Sequence, residues 1–79
     1  MSELIYQDGV SYRIADVLES FCEIKIVADG ARGGFLLTAS HNLGFGVSFH
    51  GISMYDVMRK TAEIELKRQA YLKEKEING

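Results

Sequence analysis

Between Cys22 and His50 the apolar residues recur in short runs at every second position, and from Met54 onward they recur every third or fourth. The first period belongs to a pleated strand and the second to a helix, so this change of period fixes where sheet and helix can form. Cys22, Ile24 and Ile26 alternate with Glu23 and Lys25, as in a strand with one wet face. Asp29-Gly30-Ala31-Arg32-Gly33-Gly34 reads as a turn that uses its glycines for positive φ. A second strand spans Phe35 to Ser40, apolar on both faces at Phe35-Leu36-Leu37, and His41-Asn42-Leu43-Gly44 closes a second hairpin. In the third strand Phe45, Val47 and Phe49 alternate with Gly46, Ser48 and His50. Short connections make these three an antiparallel meander.

The flanks follow the same logic. Proline is absent, so breaks must be read from Gly, Asn and Asp. Leu4-Ile5-Tyr6-Gln7 and Val10-Ser11-Tyr12 flank Asp8-Gly9, a dipeptide suited to a two-residue type I′ turn, which predicts an N-terminal hairpin. Ile14, Val17, Leu18 and Phe21 form one helical stripe, predicting a short helix over about 13–21. Without the hairpin, Ser11 would cap that helix. A long C-terminal helix begins with Ser53 as N-cap and Asp56 at N3, a capping-box variant. Its apolar face is read as Met54, Val57, Met58, Thr61, Ala62, Ile64 and Leu66, with Asp56, Arg59, Lys60, Glu63 and Lys67 opposite. Beyond Leu66 the pattern decays, because Glu65, Arg68 and Gln69 fall on the expected buried stripe. The helix is expected to reach about Glu76.

The fold class is therefore α+β: a small two-layer domain of order (ββ)αβββα, a three-stranded antiparallel meander with an N-terminal hairpin, a short helix and a long C-terminal helix. At 79 residues, 47% hydrophobic and 25% charged, residues 1–79 read as one domain, with about 67–79 an extended or fraying helix tail. No apolar run approaches the roughly 18 residues that span a bilayer. The start MSELIYQDG lacks a basic region followed by an apolar one, and Cys22 is the single cysteine, so a cytoplasmic location is expected. Residues 1–53 carry three basic and six acidic side chains, and residues 54–79 six basic and five acidic. Neither balance supplies the phosphate neutralisation that drives nucleic-acid affinity.

Motifs that could carry chemistry are sparse. Asp29, Ser40 and His41 are read as the Ser/His/Asp grouping with any proximity, yet adjacent strand residues point to opposite faces, so they read as hairpin polar groups. Cys22, His41 and His50 lack the paired spacing of a metal site, and no cofactor is implied. Cys22 is read as a small core hydrophobe. Gly30 to Gly34 lacks the lysine and following helix of a phosphate loop. Gly44-Phe45-Gly46-Val47-Ser48-Phe49 looks like a shortened RNA-recognition-motif signature, with Leu43 where the basic residue belongs. Phe45 and Phe49 are instead read as core beneath the long helix. The order αβββα resembles, in topology alone, the double-stranded-RNA-binding domain. That family opens its last helix with a basic cluster, and this chain has Met54, Tyr55, Asp56, Val57 and Met58 there, so the function does not carry over.

What remains is a non-catalytic protein-binding module, a regulator or inhibitor that occludes another protein's surface, of the kind phages and mobile elements encode against host defences. The expected partner is another protein, with a homodimer as the other arrangement and no membrane. The exposed contact candidates are Arg32, His50, Tyr55, Arg59 and Lys67. The alternative is a nucleic-acid-binding domain that uses the Phe45/Phe49 strand and the basic residues of the last helix. A third reading is an enzyme subunit whose site is completed across an oligomer.

Overall fold

The computed structural model describes residues 4–7 and 9–78, with side chains through Lys75. Its elements are β1 (Leu4–Gln7), β2 (Val10–Arg13), α1 (Ile14–Leu18), β3 (Phe21–Ala28), β4 (Phe35–His41), β5 (Gly46–Gly51) and α2 (Met54–Asn78). β1 and β2 pair as an antiparallel hairpin, and β3-β4-β5 form an antiparallel meander. This is the α+β order read from the sequence. Asp8 lies outside the described residues; its turn partner Gly9 has a φ of 79°.

α2 covers one face of the meander and the hairpin packs further along the same helix. Phe21, Leu37, Ala39 and Val57 form one buried cluster, to which Ile24, Ile26, Phe35, Val47 and Phe49 add. Ile5, Ile14, Val17, Ala62 and Leu66 form the other. Leu18 and Met58 pack against both. The Gln7 side-chain amide donates to the Leu66 carbonyl at 3.1 Å, tying the hairpin to the fourth turn of α2.

Four expectations need correction. α1 ends at Leu18 rather than about 21, because Phe21 pairs with His41 as the first residue of β3. Cys22 is exposed, not core. Phe21 opposes His41 and Glu23 opposes Ser40, so β3 carries one extra residue between them. This bulge shifts the alternation, leaving Phe21, Ile24 and Ile26 toward the helix and Glu23 and Lys25 away from it. β5 starts at Gly46, which leaves Phe45 outside the strand and 40% exposed; Phe49 does pack in the core. On α2, Met54 and Ile64 are exposed while Glu65 is buried, at 1%. The core-facing rows are Val57-Thr61-Glu65 and Met58-Ala62-Leu66, each stepping by four residues, with Met58 half-buried.

The start of α2 is capped as its sequence suggests. The Asp56 N–H donates to Ser53 Oγ at 3.0 Å, and the Asp56 carboxylate accepts from the Ile52 N–H at 3.2 Å. Two glycines let β4, β5 and α2 approach. A Cβ on Gly51 would lie 2.9 Å from Val57 and against Asp56, and one on Gly34, at φ 76°, would collide with the Gly51 carbonyl.

Candidate functional site

Two polar centres sit at opposite ends of β5. The first surrounds the β3–β4 loop. Asp29 Oδ1 accepts from the Ala31 and Arg32 N–H groups at 3.2 and 3.1 Å, and the Asp29 carbonyl accepts from the Gly33 N–H at 2.8 Å. The loop amides that could cradle a phosphate are therefore turned onto Asp29 itself. Asp29 Oδ2 lies 3.6 Å from both Arg32 Nε and His50 Nε2. His50 Nε2 also meets the Gly33 carbonyl at 2.7 Å, which places the proton on that nitrogen. Lys60 donates to the His50 carbonyl at 2.8 Å and lies 3.5 Å from Asp56, whose other oxygen accepts from Arg59 at 2.9 Å. Arg59 reaches Glu63 as well. The Arg59 guanidinium beside it and the Ile52 N–H hold the Asp56 carboxyl below its usual range.

Of the five contact candidates, Arg32 and His50 thus meet at Asp29, and Arg59 joins them through Asp56 and Lys60. Tyr55 is exposed on the first turn of α2. Lys67 lies apart, two turns further along the helix than Lys60.

The second centre was not read from the sequence. Glu65 is buried at the end of the sheet and accepts two parallel hydrogen bonds from Arg68, at 2.8 and 2.7 Å, and one from Gln69 at 2.7 Å. His41, 4% exposed, brings Nε2 within 3.0 Å of Glu65, although not in line for a full hydrogen bond. His41 Nδ1 accepts from the Leu43 N–H at 3.0 Å, so Nε2 holds the ring proton in the neutral form. Burial would raise the Glu65 carboxyl; the hydrogen bonds from Arg68 and Gln69, the His41 contact and the Arg68 charge outweigh it and hold it at about 2. A carboxylate so held cannot serve as a base near neutral pH, and His41 Nδ1 is already occupied by the Leu43 N–H.

This buried group supports an exposed one. The His41 ring stacks on Phe45 at 4.3 Å and 14°, and meets the edge of Phe21 at 5.0 Å. The Arg68 guanidinium, fixed by Glu65, lies 5.7 Å from the Phe45 ring centre. Phe21, Phe45, Val47, Ile64 and Tyr71 line an open groove of about 350 Å³, rimmed by Lys67 and Arg68. The signal was present in the sequence as Glu65, Arg68 and Gln69 interrupting the apolar stripe.

The face of the sheet opposite α2 carries a shallow hollow of about 510 Å³ lined by Glu23, Lys25, Thr38, Ser40, Gly46 and Ser48, with no aromatic ring among its lining residues. No group of three or more His, Cys, Asp or Glu converges to hold a metal among the described residues. No helix among them is long and apolar enough to cross a membrane. No protein-family model, curated protein or solved structure matches the chain.

Proposed function

We propose that this chain is a small non-catalytic protein-binding module, a regulator or inhibitor that acts by occluding a partner protein's surface through the groove between Phe45 and α2. The observation that supports this reading is the preparation of that groove. Interfaces draw most of their energy from a few aromatic and arginine side chains held in place before binding. Phe45 is such a side chain, backed by a buried imidazole and flanked by an arginine whose fork is already filled. Ile64 and Tyr71, 43% and 59% exposed, extend the apolar surface along the helix. A free chain gains nothing by exposing them together, whereas a docked partner would bury them.

Affinity capture from the native host, run in parallel with wild type, Phe45→Ala and Tyr71→Ala, tests the reading. The expected result is a defined protein retained by wild type and lost, by at least about tenfold, from both variants. Tyr71→Ala removes an exposed ring and should lower thermal stability by no more than about 1 kcal/mol, whereas Phe45→Ala also uncovers the His41 ring and should cost about 1–3 kcal/mol while leaving the chain folded. Retention of the partner by both variants overturns the groove as the binding surface. Capture of nothing, together with oligonucleotide binding that weakens steeply with salt, would assign the chain to nucleic acid instead.

A further inference from the structure

Resting on that reading, we propose that the partner supplies an extended segment, which adds as a fourth strand to the outer edge of β5 at Gly46–Ser48 and places alternate apolar side chains in the groove. The backbone itself selects the occupant. The His41 N–H donates to the Phe45 carbonyl at 2.7 Å, and the Gly51 carbonyl abuts Gly34, so the odd-numbered residues of this strand turn their polar groups toward β4. In an antiparallel pair the intervening residues turn theirs the other way. Gly46, Ser48 and His50 therefore point N–H and C=O off the edge of the sheet. Lys60 confirms the direction at one end by donating to the His50 carbonyl from outside.

The two edges of the meander are guarded differently. β3 is broken by its bulge at Cys22 and carries Glu23 and Lys25, devices that discourage further pairing. β5 pairs with β4 without a register shift, holds no acidic or lysine side chain and no proline, and among the described residues only its His50 end is covered, by Lys60. Its open part, Gly46 to Ser48, includes Val47, which lines the groove. A strand added there would alternate its side chains between the open sheet face and the helix side. On the helix side, a residue opposite Val47 meets Phe45 and Ile64, which favours a bulky apolar group. A residue nearer the His50 end meets the Lys60 ammonium, and Lys67 rims the other end, so flanking carboxylates are favoured. The partner segment is thus extended, with apolar residues at alternate positions and acidic residues flanking them.

A short acetylated peptide with isoleucine and then glutamate at alternate positions, separated by threonines, serves as the probe. Amide hydrogen exchange of the intact chain should show Gly46 and Ser48 slowing on saturation with this peptide, while Val47 and Phe49, already bonded to β4, change little. Replacing the glutamates by lysine should weaken binding severalfold. Ser48→Pro removes an outward N–H at an edge position, where proline leaves the β4 ladder intact, and should weaken binding at least about tenfold. Unchanged exchange at Leu37 and Ala39 would show that this variant is folded, and the wild-type exchange measurement needs no variant at all. Peptide binding without protection at Gly46 and Ser48, or equal binding to Ser48→Pro, overturns strand addition while leaving the protein-binding reading intact. Absence of any peptide binding overturns it as well. Protection that rises with protein concentration in the absence of peptide gives the edge to a second copy and overturns the hetero-partner assignment.

Discussion

Glu65 is the residue on which the groove end of the molecule depends. Removing a carboxylate from water costs several kcal/mol, and the cost is recovered here only because Arg68 and Gln69 aim three donors at it. Glu65→Ala leaves His41 and Arg68 facing an empty site and is expected to cost about 3–5 kcal/mol in urea unfolding, a large share of what a core of this size supplies. The acid limb of stability follows from the same group. Its carboxyl is held at about 2 when folded and titrates at 4.5 when free. The contribution is therefore fully present above pH 4.5 and fades as pH falls toward 2, by on the order of 3 kcal/mol. Urea midpoints measured at pH 6 and pH 3 should show about 2 kcal/mol of this loss in wild type, and Glu65→Gln should be much less sensitive over the same interval. An equally steep acid limb in Glu65→Gln would place the titrating group elsewhere. The sequence showed Glu65 only as an interruption. What offsets the burial is mainly Arg68 and Gln69, one turn further along the same helix and legible as breaks in the apolar stripe; the contact with His41, 24 residues away in sequence, is what no local pattern encodes.

At the scale of elements, the order of strands and helices was legible because the chain alternates or steps by 3.6 wherever it buries one face. The capping box at Ser53 and Asp56 was equally legible, being a contact between neighbours in sequence. Boundaries failed where an element is defined by its partner. The stripe Ile14-Val17-Leu18-Phe21 is helical by spacing, but Phe21 is captured by His41, and the bulge that follows moves Cys22 to the surface. Ile64 was counted in the buried face because apolar residues were weighted over phase; the rows through Val57 and Met58 pass to Glu65 and Leu66 instead. The junction of β5 and α2 gives a test at this scale. Gly51→Ala drives a methyl against Val57 and Asp56, both fixed by the helix start, and is expected to cost about 1–3 kcal/mol by thermal unfolding. Gly30→Ala, with no atom within 4 Å of the added methyl, should be neutral or stabilising by a few tenths of a kcal/mol. Equal effects of the two substitutions would mean that the close approach at Gly51 carries no energetic weight.

The whole molecule measures 45 × 27 × 19 Å with a radius of gyration of 13.5 Å, against about 12 Å for a compact chain of this length. The excess comes from α2, whose 25 residues outrun the body they cover. Along that helix the sheet packs near Val57 and the hairpin with α1 near Ala62 and Leu66, so the two buried clusters would be separate bodies on one rod were it not for the residues between them. Leu18 and Met58 are those residues, half-buried and packed against both clusters. If they join the clusters into one cooperative unit, amides of Ile5 and Tyr12 in the hairpin and of Leu37 and Val47 in the sheet should exchange with the same free energy of opening in wild type. Leu18→Ala and Met58→Ala should each lower that energy by about 2–3 kcal/mol, the low end of the range for fully buried sites. The double variant should do something neither single change does: the hairpin amides should open at lower urea than the sheet amides, because the remaining Ile5, Ile14, Val17, Ala62 and Leu66 cluster is too small to stay folded alone. Hairpin amides that already exchange independently in wild type would show that Leu18 and Met58 fill space without coupling the two halves.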